Sequence, residues 1–215
     1  MFARIPSALA VLFAASLAGA QQPDFFHRPS PMAGAFMTSL ATFPEVQKEA
    51  KLSADDSKKV EDLLGKMGEE MGAAFQDAGG DFGKLNVAIS NIMTKTDAEL
   101  LKGLTADQGK RVKELFVQFA GATVMVREDF AKDLGLSDDQ KSKVNARQMD
   151  QGKKIGDLIS SAGGDFASIA PDMKKLQDTY KTDLAAMLTD DQKKKLEDMK
   201  GAKFEFAKPA AGGGR

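Results

Sequence analysis

The chain of 215 residues contains no cysteine and no tryptophan, a single tyrosine (Tyr180) and a single histidine (His27). Disulfide frameworks, thiolate metal sites and cysteine nucleophiles are therefore excluded. With no histidine beyond position 27, the serines and threonines of the main body have no ordinary general base. The lysines and carboxylates fall on helix faces rather than into a catalytic arrangement, so the chain reads as a non-enzyme. An excess of charge of one sign is also lacking. Thirty basic against 31 acidic side chains give a net charge of −1, which argues against a nucleic-acid partner, since wrapping phosphates needs a basic surface. The hydrophobic share of 42% and the charged share of 28% nevertheless suit a globular chain rather than a disordered one.

The start of the chain has the three parts of an export signal. Met1 to Arg4 carry the basic charge, Ile5 to Leu17 are apolar apart from Ser7 and Ser16, and Ala18-Gly19-Ala20 places small residues before a cut at Gln21. The apolar run is short against the ~20 residues of a spanning helix, so no membrane span is expected in the mature chain. No cysteine follows the site to carry a lipid. Residues 1–20 are read as a signal peptide, which places the protein in the periplasm or outside the cell. Residues 21–39, with Pro23, Pro29 and Pro31, read as a leader, and 207–215 as a flexible tail ending in Gly-Gly-Gly-Arg.

Between these ends the chain repeats. Leu52-Ser53 returns as Leu136-Ser137, Ala78-Gly79-Gly80-Asp81-Phe82 as Ala162-Gly163-Gly164-Asp165-Phe166, and Leu104-Thr105 as Leu188-Thr189, each 84 residues later. Aligning 52–119 with 136–203 gives 18 identities in 68 positions without a gap. A tandem duplication explains this, with repeat 1 over 40–120 and repeat 2 over 121–206.

Each repeat has a helical period. Val60, Leu63, Leu64, Met67, Met71, Ala74 and Phe75 make one apolar stripe, and Phe82, Leu85, Ile89, Ile92, Met93 and Leu100 another. Glycine pairs at 79–80 and 163–164 are expected to end the first helix of each repeat. Asp81 and Asp165 are expected to cap the next helix, and Pro171 to start or kink it in repeat 2. From Val112 to Leu134 the one interruption is Gly121, with no proline or turn cluster, so a long helix linking the repeats is expected. The expected fold is all-α: tandem helical-hairpin units with six or seven amphipathic helices.

Four segments share a form: Leu52-Ser53-Ala54-Asp55-Asp56, Leu104-Thr105-Ala106-Asp107-Gln108, Leu136-Ser137-Asp138-Asp139-Gln140 and Leu188-Thr189-Asp190-Asp191-Gln192. Each reads as a capping box. The hydroxyl of Ser53, Thr105, Ser137 or Thr189 accepts a backbone N–H of the first turn, and Asp56, Gln108, Gln140 or Gln192 reaches back to the N-cap amide. The leading leucines are expected to pack near Val60, Val112, Val144 and Leu196.

On these motifs, the export signal and the Asp-Phe helix starts, the chain resembles the LTxxQ-motif family of periplasmic proteins, the Spy and CpxP group. The resemblance covers most of 45–206. It implies small helical proteins, often dimers shaped as a curved cradle, that suppress aggregation of exported proteins without ATP or adapt the envelope-stress response. Two copies in one chain would build the cradle that relatives make from two chains. Family cradles are often basic, whereas charge here is balanced, so attraction of clients by a strong positive field is not expected.

No cofactor is implied and no metal site is expected. Of the 11 methionines, Met67, Met71 and Met93 lie on apolar stripes and read as core, and Asp138-Asp139 and Asp190-Asp191 already serve first helical turns. One contrast singles out a candidate groove. Leu63, Leu64 and Met67 of repeat 1 become Arg147, Gln148 and Gln151 in repeat 2, so that stretch is either solvent-exposed or lines a groove. The function expected is a chaperone or stress adaptor that binds protein clients through helical surfaces. The alternatives are a scaffold with a dedicated partner and a metal-responsive regulator.

Overall fold

Apolar residues recurring every three or four positions form helices throughout, and no strand occurs among the described residues. The computed structural model describes residues 35–79, 81–162 and 166–207. The signal peptide, the leader up to residue 34 with His27, the turn residues Gly80 and Gly163-Gly164-Asp165, and the tail from residue 208 lie outside them. In chain order the helices are α1 (Met37–Leu40), α2 (Pro44–Glu49), α3 (Ala54–Ala78), α4 (Phe82–Gly103), α5 (Ala106–Ala120), α6 (Glu128–Leu134), α7 (Asp138–Ser161), α8 (Phe166–Ala186) and α9 (Asp190–Asp198). A 3-10 segment, Gly121–Val126, lies between α5 and α6. The helices outnumber the six or seven expected because α1, α2 and α6 are each two turns or less, too short to show a periodic stripe.

Two compact units divide at Ala120 and Gly121. The first holds α1 to α5 and the segment that follows Met199. The second holds Gly121–Met199. Two boundaries drawn from sequence therefore move. Residues 200–206 pack with the first unit instead of the second repeat, and the end of the expected leader is core: Phe36, Met37, Thr38 and Ser39 are all buried.

Corresponding elements begin 84 residues apart in the two units: Met37 and Gly121, Pro44 and Glu128, Ala54 and Asp138, Phe82 and Phe166, Ala106 and Asp190. The pair that differs most, α1 against the 3-10 segment, has a local cause. In the first unit a buried carboxylate, Asp97 of α4, accepts the N–H of Met37 at 3.1 Å and of Thr38 at 2.8 Å, as well as the Thr38 hydroxyl at 2.8 Å. These bonds satisfy first-turn amides that an α-helix leaves without partners. Lys181 stands at the corresponding position of the second unit and has no acceptor to offer.

The expected linking helix does not form. Gly121 takes a left-handed φ of 60°, the next residues tighten into a 3-10 turn, and Arg127 is extended before α6. The β-branched Thr123, Val124 and Val126 add to the break, since they lose side-chain freedom in a helix. Pro171 does not start α8 either. The helix begins five residues earlier, at Phe166, and runs through the proline.

Other punctuation follows the pattern of the chain. Gly79 ends α3 in the left-handed region, and Asp81 caps α4 by accepting the Lys84 N–H at 3.0 Å. Gly135 ends α6 at φ 72°, whereas its counterpart after α2 is Lys51 at φ 53°. A side chain in that region carries a steric cost that glycine avoids. Lys51→Gly is therefore expected to stabilise the protein by about 1 kcal/mol, after allowance for the greater freedom of glycine in the unfolded chain. A rise in the urea midpoint at unchanged slope checks this; an unchanged or lower midpoint contradicts it.

The buried residues of the first unit include Phe36, Leu40, Phe43, Val60, Met67 and Leu115, and those of the second Val124, Phe130, Leu134, Val144, Leu184 and Leu196. Burial of each such side chain contributes roughly 1.5–3 kcal/mol, so these clusters, rather than the surface ion pairs, hold the helices.

Candidate functional site

The four helix-start motifs meet in pairs. Ser53, Ser137 and Thr189 are N-caps whose hydroxyls accept the N–H of Asp56, Gln140 and Gln192, and all three form complete capping boxes. At the start of α5, Thr105 accepts the Gln108 N–H at 3.3 Å, and its own N–H donates to Gln108 Oε1 at 3.0 Å. Leu136 and Leu188 are buried and Leu52 and Leu104 half-buried, which sets each cap against its unit.

The last residue of each motif then reaches across to the other motif of its unit. In the second unit Gln140 and Gln192 form a reciprocal amide pair, with Nε2 to Oε1 distances of 2.7 and 2.9 Å. The remaining amide hydrogens donate to the carbonyls of Met187 at 2.9 Å and Gly135 at 3.1 Å. Each oxygen also accepts the N–H of its own cap, Ser137 or Thr189, at 3.0 Å. Every donor of the pair is used, and the starts of α7 and α9 are clasped to each other.

The first unit builds the same clasp with an acid on one side. Gln108 Nε2 donates to the Lys51 carbonyl at 2.9 Å and to Asp56 Oδ2 at 3.1 Å. The Lys51 and Gly135 carbonyls are counterparts 84 residues apart. Backbone and hydroxyl hydrogen bonds from Ser53, with smaller help from Lys59 and Gln108, hold the Asp56 carboxyl at about 2, below the ordinary 3.8, against the opposing effect of burial.

A pH dependence follows from that depression. The stability it contributes is fully present above about 3.8 and is lost as pH falls through about 2. The amide pair of the second unit has no proton to take up in that range. Asp56→Gln is accordingly expected to remove the part of acid unfolding that belongs to the first clasp, seen as a smaller loss of helical circular dichroism between pH 4 and pH 2 than in the wild type. Identical acid titrations would refute it.

The residues expected at a groove are placed differently from one another. Gln148 is exposed, whereas Gln151 is 6% exposed and Arg147 half-buried. Arg147 Nε donates to Asp183 at 2.8 Å, one terminal nitrogen contacts Asp150 and Gln151 at 3.2 Å, and its guanidinium lies 5.1 Å from the centre of the Tyr180 ring. Burial pushes the Tyr180 phenol up, with the nearby Arg147 charge acting in the opposite sense, so it stays protonated near neutral pH. This polar cluster ties α7 to α8 at the positions where α3 has Leu63, half-buried, and Met67, buried.

Sequence reasoning missed Asp97 and Gln118. Asp97 had a readable signal, because Ile89, Met93, Asp97 and Leu100 share helical spacing and a charge on an apolar stripe calls for a buried partner. Beside the first clasp an open cleft of about 280 Å³ is lined by residues including Asp56, Lys59, Lys66, Glu99 and Leu104, with charges of both signs. Among the described residues no group of three or more His, Asp or Glu side chains is placed to hold a metal, and no helix is long and apolar enough to cross a membrane.

Comparison with known proteins gives no match: no family model, no curated protein and no solved structure is similar to this chain.

Proposed function

We propose that the protein is an exported, ATP-independent chaperone or envelope-stress adaptor, of the LTxxQ type and arisen by tandem duplication, that holds unfolded or partner proteins on its helical surfaces. The observation that carries the reading is the clasp. Leu-Ser/Thr-x-x-Gln segments, with Asp56 in place of the glutamine in the first of them, recur as paired helix starts, and Gln108 and Gln192 make the same reach to the carbonyl after α2 and after α6. The motif thereby has a physical task, joining helix starts, and protein binding falls to other faces. Those faces interleave charge with partly exposed apolar residues: Ile92 and Met93 in the first unit, Ile155, Leu158 and Ile159 in the second, and the more exposed Val87 and Met149. Such a surface offers apolar contact to an unfolded segment while remaining soluble.

The test is light scattering from an unrelated, thermally aggregating substrate, without nucleotide and with this protein in several-fold molar excess. Suppression of scattering is expected. Undiminished scattering together with stable co-purification of one protein would replace the proposal with a scaffold role.

A further inference from the structure

The segment after α9 leaves helical structure at once and lies across the end of α5. Gln118 grips it as one strand grips another. Its Nε2 donates to the carbonyls of Lys200 at 2.6 Å and Ala202 at 2.8 Å, and its Oε1 accepts the Phe204 N–H at 2.9 Å. Beside it an aromatic row runs edge to face from buried Phe43 to Phe119 (centroids 5.9 Å apart), from Phe119 to Phe206 (5.2 Å) and from Phe206 to Phe204 (5.0 Å). The strap turns at Gly201, whose φ of 62° favours glycine and where a Cβ would collide with the Glu114 carboxyl. That carboxyl is itself fixed by Arg111 at 2.7 Å, and Arg111 by Glu49 at 2.6 Å.

These contacts have the form of peptide recognition. A side-chain amide reads the backbone of an extended segment, which tolerates many sequences, and an aromatic row reads side chains two residues apart. The strap is only partly covered, with Phe204 and Phe206 half-exposed and Glu205 exposed between them.

We propose that the Gln118–Phe119 face is a recognition site for an extended segment carrying phenylalanines two residues apart, and that residues 200–206 occupy it in cis as a built-in competitor. Only the source of that segment, an unfolded client, rests on the proposed function; the site itself does not.

The experiment uses the full chain and one probe, a fluorescently labelled peptide of sequence Lys-Gly-Ala-Lys-Phe-Glu-Phe-Ala, followed by anisotropy. A tethered strap competes at an effective concentration near the millimolar range, so the wild type should bind the peptide weakly. Phe204→Ser with Phe206→Ser, which strips the strap of its aromatic grip, should bind at least about tenfold more tightly. Gly201→Val should do the same by dislodging the strap at its turn, and it keeps the test valid if the double variant is not helical by circular dichroism. Adding Gln118→Ala to whichever strap variant folds should abolish the gain. Equal binding by wild type and strap variants, absence of binding by both, or a gain that survives Gln118→Ala would overturn the proposal. Peptide binding as expected without aggregation suppression would leave the site standing and defeat the chaperone reading; the reverse outcome would do the opposite.

Discussion

Asp97→Ala is expected to destabilise the first unit by about 3 kcal/mol or more, the largest effect of any single polar substitution in the chain. Residue 97 is fully buried, and its carboxylate accepts three hydrogen bonds from Met37 and Thr38, which are themselves fully buried. Removing it leaves two backbone amides and a hydroxyl without partners where no water reaches, and such groups cost far more orphaned than they contribute when paired. The positive end of α1 also loses the negative charge that faces it. The damage should be local before it is global. Amide hydrogens of residues 36–43 should exchange faster in the variant at urea concentrations where α7 and α8 are unaffected, and the urea midpoint of the first unit should fall. Asp97→Asn, which keeps one acceptor but turns an NH2 group toward a backbone donor, should lie between wild type and alanine. A loss below about 1 kcal/mol for Asp97→Ala would mean that the three bonds contribute little beyond what water supplies.

The contacts of Asp97 join residues about 60 positions apart and so lie beyond what local sequence shows. Helical period, glycine stops and Ser/Thr-x-x-Gln starts are local properties, decided by three to five neighbouring residues, and the long helices α3, α4, α7 and α8 follow from them. Legible too was the contrast between Leu63-Leu64-Met67 and Arg147-Gln148-Gln151. Its outcome was not, because whether Arg147 faces water, a groove or a partner depends on Asp183 and Tyr180, which belong to another helix. The same holds for the clasp. Each capping box is visible alone, but the pairing of Gln140 with Gln192 across 52 residues depends on how the unit folds back on itself. Gly121 shows the converse failure. A lone glycine in a helical pattern is often tolerated, and here the left-handed turn was settled by the β-branched residues beyond it and by the packing of the second unit.

Gln192→Ala is the second large effect expected, about 2 kcal/mol from the second unit. The substitution removes the acceptor for the Thr189 N–H, the donor to the Gly135 carbonyl and both halves of the amide pair, leaving the Gln140 amide half-used in a partly buried place. Gln140→Ala should cost a similar amount. The double variant should cost clearly less than the sum of the two, with a coupling of about 1 kcal/mol, because no orphaned amide then remains. Additive costs in the double-mutant cycle would show that the two glutamines act as separate caps rather than as a clasp. Gln108→Ala in the first unit should be milder than Gln192→Ala, since Asp56 keeps its bonds to Ser53 and Lys59. Gln140→Asp would copy the Asp56–Gln108 arrangement, so near neutral pH it should retain most of the stability that Gln140→Ala loses, while making the second unit sensitive to acid in the range where the first already is. A Gln140→Asp variant as unstable as Gln140→Ala at neutral pH would mean that the two clasps, although alike in geometry, are held by different interactions.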